Sequence, residues 1–219
     1  MKTKPIIFAR IADMEYYRGI TENDKPHNGG SYVHETGEAH ECYNFDPVDS
    51  DGNEICLGFV MLIGNSKESD IQIRLENIIG CSACKKEDVI EGVTVVWCAT
   101  TENSQNTRVV GFYKNATVYR YPQQVEFVDE NGDVSYLQQF NFTAKKEDCV
   151  LIPRHDRYTK SEWYIPLSGK HGYKFGFGRS HIWFANGKEN KRAEQEFVER
   201  MIENIENYNG KNLMNEEVV

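Results

Sequence analysis

Basic and aromatic residues alternate over 150–188, the part of the chain whose side chains are best suited to bind a nucleic acid. Seven Lys and Arg residues and only two acids give this segment a charge of +5. Lysine and arginine contact phosphates, and aromatic rings stack on bases. The cations that we expect to contact phosphates here are Arg154, Arg157, Lys170, Lys174 and Arg179.

A second cluster lies in the sequence VVGFYKNATVYR at 109–120, where we expect two strands joined by a tight turn at Lys114-Asn115. If these strands lie beside the strand that carries Trp97, then Trp97, Tyr113 and Tyr119 could wall a pocket for a flipped base. In the alternative interpretation, Trp97 and Phe112 simply fill the core. The predicted pocket consists of Trp97, Tyr113, Asn115, Tyr119, Tyr32 and Trp183, and Lys114 and Arg120 are further predicted phosphate-binding residues.

The six cysteines include one Cys-x-x-Cys pair, Cys81 and Cys84. A structural zinc site needs four ligands, and the candidates for the other two are His40 and Cys42. A single Cys-x-x-Cys pair is a weak zinc signal, so we predict no metal and leave this site open. His34 and His40 are six positions apart, which does not fit the i, i+4 spacing of a helical zinc-protease motif.

Motifs of common enzyme classes are absent from the sequence. It contains neither a G-x-x-x-x-G-K-[ST] phosphate loop nor a G-x-S-x-G nucleophile elbow. Glu126, Asp129, Lys145 and Lys146 could form a nuclease-like set, but Asp129 falls at the tip of a predicted hairpin, and its neighbours explain it as turn chemistry. We therefore predict no catalytic residue and no cofactor, and keep a nuclease or small hydrolase as an alternative.

Many short strands and few helices must position these residues. Asn131-Gly132 is the strongest hairpin signal. Apolar residues recur every four positions from Ala193 to Ile205, which predicts an amphipathic helix that begins near 187 and ends near 209. Strands are predicted at 5–12, 55–63, 71–75, 93–99, 108–113, 116–121, 125–130, 133–140, 149–152 and 181–185, and a short helix at 12–18.

The length of 219 residues fits one domain, which we place at 1–186 with a loop insertion at 21–52, followed by a C-terminal helix and tail at 187–219. The composition, with 39% hydrophobic and 27% charged residues, is typical of globular proteins. The longest apolar stretch is shorter than the roughly 18 residues that a membrane span needs. The N-terminal apolar run is too short for a signal peptide, so we expect a cytoplasmic protein with no membrane partner.

Three motifs in order, VVWCA at 95–99, VVGFYKNATVYR at 109–120 and GFGRSHIWFA at 176–185, resemble PUA-like domains of the EVE and YTH kind. The resemblance implies an α+β fold, a PUA-like mixed β-barrel with flanking helices and here a C-terminal amphipathic helix. Several such domains bind modified bases in an aromatic cage and serve as the reading module of modification-dependent restriction systems. The implied function is a non-catalytic reader of a modified or flipped base, with modified DNA favoured over RNA.

The total charge of −9 leaves −14 outside 150–188. The negative charge of these other residues argues against a protein that coats nucleic acid non-specifically. It favours a protein that selects one kind of base. In a restriction system, the nuclease would be a separate chain, and the helix at 188–208 could bind it as a protein partner. A further alternative is a protein-interaction module with an acidic face.

Overall fold

The computed structural model describes residues 4–27, 40–62, 71–101, 106–187 and 191–216, and within these ranges it contains nine strands and two α-helices. The strands are β1 (Ile6–Ile11), β2 (Pro47–Ser50), β3 (Asn53–Gly58), β4 (Val89–Thr100), β5 (Thr107–Val128), β6 (Val134–Lys145), β7 (Cys149–Leu151), β8 (Tyr164–Ile165) and β9 (Ile182–Trp183). The α-helices are α1 (Arg154–Thr159) and α2 (Lys191–Glu206). Short 3₁₀ helices lie at His40–Tyr43, Leu75–Asn77, Cys84–Lys86, Lys146–Asp148, Ser161–Trp163 and Leu213–Asn215.

All nine strands join one mixed sheet in the order β2-β3-β6-β5-β4-β1-β9, and β7 and β8 pair with further parts of β5. β1 runs parallel to β4, whereas the other pairs are antiparallel. In the part of the chain that the structure describes, β2 and β9 end the sheet and do not pair with each other. The predicted α+β class is therefore confirmed, but the sheet does not close into the expected barrel.

Strand β1, which lies between β4 and β9, is buried on both faces of the sheet. Ile7 and Ala9 pack into one hydrophobic cluster, while Ile6 and Phe8 pack into a second cluster on the opposite face. Because successive strand residues point to opposite faces, a strand covered on both sides reads as a continuous apolar run.

Helix α2 covers the second cluster with its apolar side. The residues that it buries there are Phe197, Val198, Met201 and Ile205. The predicted amphipathic helix is therefore confirmed, with bounds close to those expected. Among the described residues, no helix is both long and apolar enough to cross a bilayer.

The sequence 109–120 does not contain the expected turn, because β5 runs without interruption through Lys114-Asn115. Val93 lies opposite Ala116 and Val95 lies opposite Tyr113. Between these two pairs, β5 therefore contains one residue more than β4. This is a β-bulge. Asn115 has a φ of 50°, a conformation that Asn tolerates both in turns and in bulges, which explains why the sequence pattern resembled a turn.

Three other predicted elements are shorter or absent. Residues 12–18 form bends rather than a helix, because the Tyr17 hydroxyl donates to the carbonyl of Ala12 and accepts from the amide of Met14. Segment 71–75 forms no strand and ends in a 3₁₀ helix. The strand predicted at 55–63 ends at Gly58, beyond which Asn44 replaces the strand partner by binding the backbone of Phe59 through its side chain.

The hairpin predicted at Asn131-Gly132 is confirmed and joins β5 to β6. Asp129 closes its tip, where its carboxylate accepts hydrogen bonds from the amides of Asn131 and Asp133 at 2.8 and 3.0 Å. These bonds lower the pKa of Asp129. The residue is thus explained by turn chemistry, as the sequence suggested.

Candidate nucleic-acid interface

The connection from β8 to β9, residues 166–181, is called here the basic loop. Its three Lys and Arg residues, Lys170, Lys174 and Arg179, are all exposed, and its sequence contains no Asp or Glu. The rest of the chain carries a net charge of −12. The basic loop is therefore the first place to look for an anionic ligand.

The basic loop is held in a defined shape by its own backbone. The amide of Ser168 donates to the carbonyl of Phe177 at 2.9 Å, and the amide of Gly169 donates to the carbonyl of Tyr173 at 2.8 Å. Gly176 has a φ of 112°, and a Cβ atom there would overlap the carbonyl of Pro166. Only glycine fits this position, so the local sequence is suited to the close approach of the two arms of the loop.

A row of half-buried rings lies along the basic loop. The ring centroids of Tyr164 and Tyr173 are 5.8 Å apart, and those of Tyr173 and Phe175 are 5.5 Å apart. Arg108 extends the row, since its guanidinium lies 5.2 Å from the Tyr164 ring centroid. Burial, and then the neighbouring Tyr173, raise the pKa of Tyr164, so its hydroxyl remains a neutral hydrogen-bond donor at physiological pH. Rings arranged in this way offer surface on which a base can stack.

Arg10 fixes the end of the basic loop against β1. Its guanidinium lies 5.3 Å from the Phe177 ring centroid and reaches the carbonyl of Ser180 at 3.4 Å. His181 follows directly and its Nδ1 lies 2.9 Å from the carbonyl oxygen of Met61. The pKa of His181 is lowered, because burial and, to a smaller extent, the charge of Arg10 outweigh the contact with the Met61 carbonyl, which raises it. His181 is therefore neutral at pH 7 and adds no positive charge to the surface.

Two of the arginines predicted to bind phosphates are instead buried in the fold. Arg157 is 0% exposed and donates to the backbone carbonyls of Ile152, Met14 and Glu15 at 2.6, 2.6 and 2.7 Å. Arg120 is 5% exposed and donates to the carbonyl of Glu87 at 2.7 Å, to the carbonyls of Cys84 and Lys85, and to the side chains of Gln72 and Glu76. The structure places neither guanidinium where a phosphate could reach it.

Arg154 belongs to a polar cluster that we call the Asp13 network, made of Asp13, Arg154, Arg157 and Tyr158. Asp13 is buried, and its Oδ2 accepts hydrogen bonds from Arg154 and from the Tyr158 hydroxyl, both at 2.8 Å. Arg157 Nη1 lies 4.0 Å from Asp13 Oδ1, which has no hydrogen-bond partner among the described residues. Arg154 is half-buried and already paired, so it is poorly placed to bind a phosphate.

The two main residues of the predicted pocket do meet, but inside the core. Trp97 and Tyr113 pack edge to face with ring centroids 5.2 Å apart, and both are 0% exposed. Phe142 and Phe45 pack against them, and the Tyr113 hydroxyl donates to the carbonyl of Asn44. The geometry agrees with the alternative interpretation, in which Trp97 fills the core rather than the wall of an open cage.

The other predicted pocket residues are dispersed. Tyr119 packs on Phe140, and Asn115 is exposed and donates to Asp148 at 3.1 Å. Trp183 is buried, stacks on Phe8 and donates to Glu194. Lys114 lies over the Phe112 ring at 5.6 Å, and Tyr32 falls outside the described residues.

The sequence prediction missed Arg108, Arg10 and Tyr164 as neighbours of the basic loop. Arg108 lies on β5 and faces Tyr164 on β8 as a strand partner. The two residues are far apart along the chain, so no local pattern indicates their contact. The cation–ring pair follows from the register of two strands.

Neither the zinc nor the nuclease alternative gains a site in the described ranges. No group of three or more His, Cys, Asp or Glu residues there is close enough to hold a metal ion. His40 contacts the Tyr136 hydroxyl, and Cys42 is fully buried. Lys146 pairs with Glu54 at 2.8 Å, whereas Asp129 closes the hairpin.

Comparisons of the chain with protein-family models, with curated proteins and with solved structures find no match.

Proposed function

We propose that this chain is a nucleic-acid-binding module that contacts phosphates through the basic loop and stacks a flipped or unpaired base on the neighbouring rings. The observation that carries the proposal is the combination of three exposed cations and no acid in 166–181, beside the half-buried rings of Tyr164 and Tyr173. Cations that track a backbone next to stacking rings are the usual elements of single-strand and flipped-base recognition.

The charge distribution favours selective binding of nucleic acid over non-specific coating of it. The chain carries −9 in total, so most of its surface repels a polyanion. Lys170, Lys174 and Arg179 supply about three phosphate contacts, which predicts a slope of about −2 to −3 in log affinity against log salt. Further affinity then has to come from the base. The resemblance to modified-base readers of restriction systems supports a modified base in DNA as the target.

The test is fluorescence anisotropy with labelled oligonucleotides, single-stranded and duplex, plain and carrying one modified base, over a range of NaCl concentrations. Lys170→Gln/Lys174→Gln is expected to weaken binding and to reduce the salt slope by about 0.7 to 0.9 for each lysine. The matched control is Lys85→Gln/Lys86→Gln, which removes the same charge from two other exposed neighbours. Equal loss in both variants, or binding that does not depend on salt, contradicts the proposal.

A second candidate function is protein binding through the tip of the β5–β6 hairpin. The tip carries four exposed acids, Glu126, Asp129, Glu130 and Asp133. Beside them, the paired residues Val128 and Val134 are 59% and 55% exposed, which is unusual for apolar strand residues. An apolar centre with an acidic rim fits a partner surface that is apolar and basic.

This alternative predicts that Val128→Ser/Val134→Ser abolishes capture of a partner from the native cell extract and leaves oligonucleotide binding unchanged. The proposed nucleic-acid function predicts the reverse for the lysine variant. The two variants therefore separate the candidates, because each changes one surface only. Loss of both activities in either variant would indicate misfolding and is checked by thermal unfolding.

A further inference from the structure

Cys81 and Cys84 lie at the two ends of one tight turn. The amide of Cys84 donates to the carbonyl of Cys81 at 2.9 Å, which closes the turn. A turn closed in this way keeps its end Cα atoms within about 7 Å. A disulfide needs Cα atoms about 4.4 to 6.8 Å apart, so the backbone already has the span that a bridge requires.

Access separates this pair from the other thiols. Cys84 is half-buried and Cys81 is 8% exposed. The other four cysteines are 0% exposed, namely Cys42, Cys56, Cys98 and Cys149. Burial, and then the neighbouring Cys84, raise the pKa of Cys81. Cys84 is therefore the thiol that a reagent in solution meets first, and Cys81 is placed behind it.

The turn is held from both sides. Arg120 donates to the carbonyls of Cys84 and Lys85 at 2.9 and 3.1 Å, which fixes the chain after the pair. The amide of Cys81 donates to the carbonyl of Ile78 at 3.0 Å, which fixes the chain before it. Because both flanks are bound, the two ends of the turn stay close, and a bridge between them costs little further chain entropy.

We propose that Cys81 and Cys84 form a redox-active dithiol that closes to a disulfide when it meets a low-molecular-weight disulfide. The Cys84 thiolate attacks one sulfur of the oxidant, forms a mixed disulfide and expels one thiolate. The Cys81 thiolate then attacks Cys84 Sγ and expels the second thiolate. The protein loses two electrons and two protons, and the oxidant becomes two thiols.

The bridge would stiffen one wall of a cavity of about 410 Å³ between this turn and helix α2. Gly80 and Ser82, on either side of Cys81, line it together with Gln195 and Val198 of α2. The dithiol is thus in a position to couple the redox state to the shape of this cavity.

The experiment equilibrates the native protein with mixtures of reduced and oxidised glutathione, blocks free thiols by alkylation and maps tryptic peptides by mass spectrometry. Cleavage after Arg74 and Lys85 gives the peptide 75–85, which contains both cysteines. The expected product of oxidation is this peptide, unalkylated and lighter by two hydrogens. The peptide 147–154, which carries the buried Cys149, is the internal control and is expected to be alkylated only after unfolding.

Two variants assign the order of the thiols. Cys81→Ser is expected to retain one glutathione on Cys84, whereas Cys84→Ser is expected to react slowly. Peptide 75–85 that stays reduced in excess oxidised glutathione, or that carries two glutathiones without an internal bridge, would overturn the proposal. Oxidation of the Cys149 peptide at the same rate would show that the protein had opened and would equally count against selective access.

Discussion

The Asp13 network and the basic loop contain similar cations in very different surroundings. In the network, Arg157 is 0% exposed and donates to three backbone carbonyls, and Arg154 pairs with Asp13. In the basic loop, Lys170 and Lys174 are exposed, and the loop backbone is closed by its own hydrogen bonds. The first set of cations stabilises the fold, whereas the second set is exposed at the surface, where we propose that it contacts a ligand.

The comparison shows why a local charge count overestimates a binding surface. The +5 charge of 150–188 includes both kinds of cation. A buried guanidinium supplies hydrogen-bond donors to carbonyls, and a positive charge beside a carboxylate, that would otherwise lack partners. An exposed cation such as Arg179 compensates no buried group, so we expect little loss of stability when it is altered. Stability and ligand affinity should therefore respond to different residues of the same segment.

The largest expected effect is on stability, in the variant Arg157→Met. The substitution removes the donors of three buried carbonyls and one cation near Asp13. We expect the free energy of unfolding to fall by about 3–5 kcal/mol, because a buried polar group that loses its partner is costly. Urea denaturation followed by circular dichroism measures the change.

The control for this variant is Arg179→Gln in the basic loop, where the side chain is exposed. It is expected to shift the free energy of unfolding by no more than about 0.5 kcal/mol. If Arg157→Met proved as stable as Arg179→Gln, the distinction between structural and surface cations would fail.

A smaller effect, on affinity alone, is expected for Tyr173→Leu. Leucine keeps an apolar contact with Phe175 but offers no ring face to a base. Stacking contributes about 1–3 kcal/mol per base, so binding to an oligonucleotide should weaken roughly 5- to 150-fold. The salt slope should stay unchanged, because no phosphate contact is removed. Anisotropy titrations at several salt concentrations measure both quantities.

Tyr121→Leu is the matched control, since Tyr121 is an exposed tyrosine of β5 outside the basic loop. Its affinity should equal that of the unaltered chain. A Tyr173→Leu variant that loses no affinity would leave phosphate contacts as the whole of the interface and would rule out base stacking at this ring.

Sequence patterns predicted the elements whose signal is local. The hairpin at Asn131-Gly132 and the four-residue period of α2 both depend on neighbouring residues, and both are confirmed. The predicted turn at Lys114-Asn115 is wrong, although Asn115 does adopt the left-handed backbone conformation that such a turn would use. Asn in a left-handed conformation serves a turn or a bulge, and only pairing with β4 decides between them.

The candidate site was predictable in part. The density of cations in 166–181 is a property of the sequence, but the burial of Arg157 depends on carbonyls of Met14 and Glu15, about 140 positions away. The contact between Arg108 and Tyr164 likewise depends on strand register. Contacts of this range leave no periodic pattern, so sequence reasoning could not separate the structural arginines from the surface lysines.

A further expected effect, on the pH dependence of stability, concerns Glu41, which binds the backbone next to Asp13. Its carboxylate accepts a hydrogen bond from the amide of Ala12 at 3.1 Å, and burial raises its pKa from 4.5 to about 7. The folded protein therefore retains this proton at pH values where the unfolded chain releases it. The corresponding stability is complete below pH 4.5 and is lost as the pH rises through about 7.

Glu41→Gln mimics the protonated carboxyl and should remove this dependence. Between pH 5 and 7, the free energy of unfolding of the unaltered chain should fall relative to the variant by at most about 1.4 kcal/mol per pH unit. Asp46 and Glu194 also have raised pKa values owing to burial, so the difference between the two stability curves, rather than either curve alone, isolates Glu41. Parallel curves would mean that Glu41 is ionised in the folded protein. The polar region around Asp13 would then tolerate a further negative charge, and the contrast with the basic loop would rest on the arginines alone.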